Sequence, residues 1–132
     1  MISSICSLTS IDGQHISAAG ACPATPKVLL VVAHPDDEYT FAATVYRISR
    51  ELGGYVDQVV VTNGEAGYHY SQLAETFYGE HLSEETVGRL RLPEIRKRET
   101  IAAGRILGIR HHYFLDQQDT QYILNVKEPL HV

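Results

Sequence analysis

Apolar runs along this chain predict the strands of a buried parallel sheet. The first predicted strand covers Val28 to Ala33, and the second covers Val56 to Thr62 with consecutive valines at its centre. A third strand is predicted for His112 to Leu115, and a shorter fourth for Tyr122 to Val126. Runs without polar alternation indicate strands that are covered on both faces, which is typical of parallel sheets.

Apolar residues recur with helical spacing in the segment between the first two strands. One helix is predicted from Glu38 to Leu52, where the pair Gly53-Gly54 ends it. The apolar residues that recur on one face of this helix are Phe41, Val45, Ile48 and Leu52. This face should pack against the sheet.

A second helix is predicted before the third strand. We expect it to begin at Pro93, a residue suited to the first helical turn, and to end at Leu107 before Gly108. The apolar residues of its predicted buried side are Ile95, Ala102, Ile106 and Ile109. The stretch from Tyr68 to Leu92 is predicted to be a long insertion, and long loops are often functional.

The order of strand, helix and strand predicts an α/β protein. We expect a Rossmann-like three-layer α/β/α fold with a mostly parallel sheet and right-handed connections. Residues 27–132 would form one domain, and residues 1–26, which are poor in charge, would form an extended or disordered leader. The tail after Lys127 shows no natural helix or strand ending, so we expect the fold to be truncated at the C-terminus.

The run AHPDDE at residues 33–38 places a histidine and several carboxylates where the first strand should end. Binding sites in open α/β sheets form outside the carboxyl ends of the strands. His34 and Asp37 are three positions apart, so both can reach one ion, and an imidazole with a carboxylate suits Zn²⁺. Asp36 is placed to take a proton from a metal-bound water. The structural alternative is that Asp36 or Asp37 only caps the following helix.

These residues resemble the signature of the LmbE-like (PIG-L-like) N-acetylglucosaminyl deacetylases. Further segments match the N-terminal part of that family in order: TNGEAG at residues 62–67, RKRE at residues 96–99 and LDQQD at residues 115–119. Gln118 and Thr120 depart from the family, which usually has proline and glycine at these two positions. The resemblance covers residues 27 to 125, and it implies the fold predicted above.

The resemblance also implies an activity and the residues that carry it. It implies a zinc-dependent hydrolase that removes the acetyl group from an N-acetylglucosamine-type sugar conjugate. His34 and Asp37 would be the zinc ligands, and Asp36 would be the general base. The sugar-binding residues would be Glu65, Arg96 and Asp119.

Two features near the implied sugar site leave alternatives open. Aromatic side chains of the predicted insertion would either stack on the sugar ring or anchor the insertion to the core; they are Tyr68, Tyr70, Phe77 and Tyr78. Arg96 lies three positions before Glu99, so a local ion pair is the alternative to sugar contact.

The third zinc ligand of the family is a histidine beyond a further strand, and this chain ends at Val132, before that segment would come. Catalytic zinc usually has three protein ligands. We therefore expect the 132-residue chain to be inactive or nearly so. His69 and His81 could approach the site from the insertion, whereas His111 and His112 should lie at the wrong end of the sheet.

Composition excludes several other classes of protein. The net charge of -5, from 16 acidic and 11 basic residues, argues against a nucleic-acid surface. No stretch approaches about 18 consecutive apolar residues, so no membrane span is expected, and we expect a cytoplasmic location. Cys6 and Cys22 both precede the first strand and resemble neither a zinc site nor a disulfide framework.

Two other functions stay open at this point. The chain could be a noncatalytic member of the family that acts through binding or as a homo-oligomer, because an exposed sheet edge favours self-association. It could also be a metal phosphoesterase that uses the same cluster at residues 34–37. We rank that function lower because the sequence shows no additional Asp/His cluster for a second metal.

Overall fold

A computed structural model of this chain describes residues 24–120. The elements follow in the order β1 (Lys27–Val32), a 3-10 helix (Asp37–Phe41), α1 (Ala42–Tyr46), a π-helical turn (Arg47–Glu51), β2 (Tyr55–Thr62), a second 3-10 helix (Glu65–Tyr70), α2 (Gln72–Tyr78), α3 (Glu85–Leu107) and β3 (Ile109–Gln117). The first three predicted strands are therefore confirmed. The predicted fourth strand at Tyr122 to Val126 lies outside the described residues, as does the predicted leader up to residue 23.

The strands form one parallel sheet with β2 between β1 and β3. Leu30 of β1 lies opposite Gln58 of β2, and Gln58 lies opposite His112 of β3. This register aligns the carboxyl ends of all three strands along one edge of the sheet. The predicted α/β class and its parallel sheet are confirmed.

The helices among residues 24–120 cover one face of this sheet. Val56 and Val60 of β2 are fully buried on that face, whereas Leu29 and Val31 of β1 point to the other and are each 59% exposed. The strand order advances in one direction, so two right-handed connections place both helices on the same side. The described residues thus contribute the sheet and one helical layer.

The core beneath α1 is smaller than the predicted helix face. Val45 packs with Val56 and Ile109 in a buried cluster that Ile48 borders. Phe41 and Leu52, which the periodicity placed on the same face, are largely exposed, so that part of the prediction is wrong. The reason is geometric, because the segment changes from 3-10 to α to π winding, and a constant spacing of 3.6 residues does not hold along it.

The predicted start of the second helix at Pro93 is wrong. Helix α3 begins at Glu85 and runs for 23 residues with Pro93 in its interior. An interior proline removes one helical hydrogen bond, yet the residues on both sides of it, Leu92 and Ile95, are buried against Tyr68 and Leu82. This packing holds the two parts of the helix together across the proline.

The stretch predicted as a long insertion is consequently mostly helical. The end of the second 3-10 helix, all of α2 and the first two turns of α3 lie between Tyr68 and Leu92. These turns were not predicted, because Pro93 indicates the start of a helix.

Small residues, rather than large apolar ones, line much of the buried side of α3. Ala102 and Ile106 are exposed, which contradicts the predicted face, and Ile109 belongs to β3. Gly104 is buried instead, and a side chain there would overlap the ring of His112. The helix therefore approaches the sheet closely at this point and ends at Gly108, whose φ of 81° suits glycine.

A chain of polar side chains is buried where β2 meets β3. The Nδ1 atom of His112 lies 3.1 Å from the amide oxygen of Gln58, and the Gln58 amide nitrogen donates to Glu38 at 3.2 Å. Gln58 is fully buried. His112 is thus a packing residue in the first half of β3, away from the carboxyl edge, as the sequence predicted.

No helix in the described part of the chain is long and apolar enough to cross a membrane. The cytoplasmic location stays a prediction.

The close contact between α3 and β3 predicts that alanine in place of Gly104 destabilises the protein, the opposite of its usual effect in a helix. Alanine normally stabilises an exposed helix interior by about 1 kcal/mol relative to glycine. Gly104→Ala should instead lower the free energy of unfolding by about 1–3 kcal/mol, because the added Cβ overlaps the His112 ring. Urea denaturation measures this, with Ala102→Gly on the exposed side as the propensity control. A more stable Gly104→Ala variant would contradict the packing described here.

The partial burial of His112 predicts that the free energy of unfolding falls in mild acid. Burial lowers the pKa of His112 from its ordinary value of 6.5, while the charge of Glu38 opposes this shift. A lowered pKa in the folded state means that the unfolded chain binds the proton more readily, so stability falls as the pH drops below about 6.5. His112→Gln should flatten this fall between about pH 7.5 and 5 in denaturation curves. His81→Gln is the matched control, and equal flattening in both variants would contradict the prediction.

Candidate active site

The turn that follows β1 is tied to the neighbouring strand. The backbone nitrogen and the hydroxyl of Thr62 both donate to the carbonyl oxygen of Ala33 at 2.8 Å. The backbone nitrogen of Asn63 donates in turn to the carbonyl of Gln117, at 3.0 Å. The carboxyl ends of the three strands are therefore joined by hydrogen bonds just where the predicted site begins.

His34 and Asp37 are brought together by this turn, as their spacing predicts. The backbone nitrogen of His34 donates to Asp37 Oδ2 at 2.8 Å, and the ring atom His34 Nδ1 lies 3.6 Å from the same oxygen. Two ligands of a tetrahedral zinc, each bonded at about 2.0–2.2 Å, lie about 3.3–3.6 Å apart. The pair therefore fits two corners of a zinc site, and both side chains are partly exposed.

Residues 24–120 do not complete the ligand set. No group of three or more His, Cys, Asp or Glu side chains in this range is placed to hold one ion. His69 lies instead against the ring of Tyr68, at 3.9 Å between ring centroids. The described parts of the chain thus supply two ligands, and neither His69 nor His81 joins them.

Asp119 lies on the other side of the His34 ring. Its Oδ1 is 3.5 Å from His34 Nε2, and its side chain is largely buried. A carboxylate facing the second nitrogen of a metal-binding histidine fixes the orientation of the ring. Asp119 therefore contacts a predicted zinc ligand, whereas its predicted role in sugar binding stays a prediction.

Arg96 connects two turns of the site. Its guanidinium donates to the carbonyl oxygens of Gly64 at 2.7 Å and Pro35 at 2.6 Å, and it pairs with Asp36 Oδ2 at 2.8 Å. The alternative pair with Glu99 does not form, because Glu99 accepts from the Tyr78 hydroxyl at 2.6 Å. Arg96 thus reaches the predicted general base directly, and its contact with a sugar stays a prediction.

Gly64 makes room for this guanidinium. Its φ of 68° is left-handed, and a Cβ at this position would overlap Arg96. Glu65, the next residue, is buried, and its Oε2 has no hydrogen-bond partner within the described residues. A buried carboxylate oxygen without a partner is an acceptor for a ligand hydroxyl or amide, which suits the predicted contact of Glu65 with substrate.

Glu38 is a functional candidate that sequence reasoning missed. It is only 3% exposed, and its Oε2 accepts from the backbone nitrogen of Asp36 at 3.1 Å and from Gln58 at 3.2 Å. A glutamine next to the three central valines of a predicted buried strand was the available signal, because a buried amide requires polar partners. The structure supplies one of them from the AHPDDE run itself.

An open groove of about 750 Å³ lies beside Asp36 and Arg96. Its lining includes two aromatic side chains that the core does not need, Tyr70 at 90% and Phe77 at 79% exposure. Tyr68 is buried and anchors the segment to the core. The two alternatives therefore apply to different residues: Tyr68 packs in the core, whereas Tyr70, Phe77 and Tyr78 line the groove.

Comparison with known proteins gives a family match and a structural likeness. The sequence profile of the PIG-L family, described as GlcNAc-PI de-N-acetylase, matches residues 29–129. A solved structure of N,N'-diacetylchitobiose deacetylase from Pyrococcus horikoshii, complexed with its inhibitor MPG, is similar, with 29% sequence identity and a TM-score of 0.51.

The likeness to that deacetylase is partial. It covers 70% of this chain and 30% of that chain. A search of curated proteins gave no significant match. The family profile nevertheless extends over most of the sequence, from residue 29 to residue 129, so this chain belongs to the PIG-L family, as its AHPDDE run and the segments that follow it predicted.

Proposed function

We propose that this protein is a zinc-dependent hydrolase that removes the acetyl group from an N-acetylglucosamine-type sugar conjugate. The observation that carries the proposal is the 3.6 Å separation of His34 Nδ1 and Asp37 Oδ2 at the carboxyl end of β1, with Asp36 between them in sequence. The family description and the deacetylase likeness support the same substrate class. Since the likeness reaches only 30% of that deacetylase, the whole reaction is part of the proposal.

His34 and Asp37 would hold the ion, and Asp36 would handle the proton. Zinc, when bound, supplies a polarised acetyl carbonyl and a water of lowered pKa. Arg96 occupies Oδ2 of Asp36, so Oδ1 is the atom that accepts the proton as the water attacks the carbonyl carbon. Asp36 then returns this proton to the sugar nitrogen as the C–N bond breaks, which yields acetate and a free amine.

The groove beside Asp36 would hold the remainder of the substrate. Tyr70 and Phe77 offer exposed aromatic faces on which a sugar ring can stack. The buried acceptor Glu65 Oε2 and the guanidinium of Arg96 supply polar contacts near the reacting end. This arrangement of few polar groups beside apolar walls is typical of small-molecule sites.

A noncatalytic, self-associating protein is the second candidate. The specific observation in its favour is the apolar outer face of the sheet, where Leu29, Val31, Tyr113 and Leu115 are each at least half exposed. A second copy could cover this face. No observation favours the phosphoesterase, since residues 24–120 offer no cluster for a second metal.

Zinc affinity tests the proposed site. Isothermal titration of the purified chain should show zinc binding that both His34→Ala and Asp37→Ala abolish, because each removes one of two ligands. His69→Ala is the matched control and should bind as the parent does. Equal zinc affinity in all four proteins would contradict the proposed ligands. Sedimentation of the same samples tests self-association, and oligomers without zinc binding would favour the second candidate.

Acetate release tests the reaction. With two ligands from residues 24–120, we expect the 132-residue chain to release acetate from N-acetylglucosamine conjugates at a rate near background. A rate clearly above background would contradict this expectation of inactivity. Loss of that rate in Asp36→Asn would then support both the deacetylase and its general base.

Arg96 should matter for stability as well as for the site. Arg96→Lys keeps the charge, but an ammonium cannot reach three acceptors arranged for a guanidinium fork. Buried acceptors that lose their donor cost about 1–3 kcal/mol, so the free energy of unfolding should fall by about that amount. Arg98→Lys, on the exposed side of the same helix, is the control and should leave stability unchanged. Equal stability of the two variants would show that Arg96 does not brace the turn.

A further inference from the structure

The backbone of Asp36 adopts a conformation that an aspartate rarely takes. Its φ is 96° with ψ of -18°, in the left-handed region. Such a conformation costs about 1–3 kcal/mol for a residue with a side chain, and it persists only where surrounding contacts impose it. Something in the structure must therefore hold this residue in place.

Glu38 makes the contact that is best placed to do so. Its carboxylate accepts from the Asp36 backbone nitrogen at 3.1 Å, in a hydrogen bond strengthened by the negative charge. It does not cap the helix in the usual way, because the residue at the cap position is Asp36, whose side chain makes no capping bond. The carboxylate is almost completely buried, so water does not compete for it.

The carboxylate of Glu38 is itself held from the sheet. The amide nitrogen of Gln58 donates to it, and the amide oxygen of Gln58 faces His112 Nδ1 at 3.1 Å. With Nδ1 protonated, His112 donates to Gln58, and the chain of donors runs from β3 through β2 to the turn. Each side chain has its orientation fixed by the next, and the two central members, Gln58 and Glu38, are almost inaccessible to solvent.

We propose that Glu38 is a positioning residue, which holds Asp36 in its left-handed conformation and is itself fixed by Gln58 and His112. The proposal rests on the role of Asp36 given under Proposed function. It extends that role by naming what places the base. Arg96 orients the Asp36 side chain from one side, and Glu38 holds its backbone from the other.

Amide hydrogen exchange by NMR tests this directly on the metal-free 132-residue chain. The exchange rate of the Asp36 amide is compared with that of the Val60 amide, which lies in the buried centre of β2 and reports global stability. In Glu38→Ala the Asp36 rate should rise at least about tenfold more than the Val60 rate. Glu38→Gln should give a smaller selective rise, because a neutral oxygen accepts more weakly.

A second set of variants keeps the test decisive. Gln58→Met removes the anchor without touching Glu38 and should also accelerate Asp36 selectively, which serves if Glu38→Ala does not fold. Glu99→Gln, a carboxylate of α3 bonded to Tyr78, is the matched control and should leave both rates unchanged. The three-bond HN–Hα coupling of Asp36 should change in Glu38→Ala as φ leaves the left-handed region.

Two results would overturn the proposal. An unchanged Asp36 rate in both Glu38→Ala and Gln58→Met would show that other contacts hold the turn. An equal rise in the Asp36 and Val60 rates would show that Glu38 only contributes to global stability. Neither result depends on zinc or on acetate release, so failure of the proposed function is seen separately in the zinc titration.

Discussion

The hydrogen bonds that hold the turn at residues 34–37 are the interaction on which the rest of the site depends. Arg96 of α3 donates to the carbonyl of Pro35 and to the carboxylate of Asp36, and Glu38, in the 3-10 helix that follows the turn, accepts from the backbone nitrogen of Asp36. With both anchors in place, His34 and Asp37 meet on one side of the turn. The geometry of a short sequence motif therefore depends on α3, through Arg96, and on β2, through the hydrogen bond from Gln58 to Glu38.

Burying the polar side chains of this hydrogen-bonded chain reduces the stability of the fold. Glu38 and Gln58 occupy positions that apolar side chains could fill, and buried polar groups contribute little unless every partner is present. Partial burial lowers the pKa of His112 at the far end of this chain, so a charge there carries a cost as well. What the protein gains is one orientation for the turn, because each polar group accepts only a narrow set of directions.

The sequence predicted those parts of the fold that depend on local patterns. Apolar runs located β1 and β2 to within a residue or two, and the spacing of His34 and Asp37 predicted their meeting. The sequence did not predict the start of α3. A proline is typical of the first turn of a helix, but Pro93 lies in the helix interior, where packing of the residues on both sides keeps the helix continuous. Exposure of Phe41 escaped prediction for a related reason, since the change of helical winding depends on tertiary contacts.

The sequence named candidate site residues but did not predict the contacts between them. The family resemblance named Arg96 and Asp119, yet their contacts with Asp36 and His34 depend on how α3 and the end of β3 fold back over the turn. Gln58 was visible as a polar residue in a buried strand, but its partner Glu38 could be identified only once the position of the first 3-10 helix against the sheet was known. Pairings across the sheet depend on long-range geometry, which a single sequence does not encode in any local pattern.

The two nitrogens of His34 join the proposed metal site to the third strand. They point away from each other, so one ion can contact only one of them. Asp37 lies by Nδ1 and Asp119 by Nε2, so an ion held between His34 and Asp37 leaves Nε2 to donate to Asp119. His34 would donate more strongly to Asp119 when it holds a metal, because a metal-bound imidazole is a better proton donor. A ligand bound at the end of β1 would in this way tighten the segment that follows β3, and the position of Asp119 would in turn set the orientation in which His34 meets the ion.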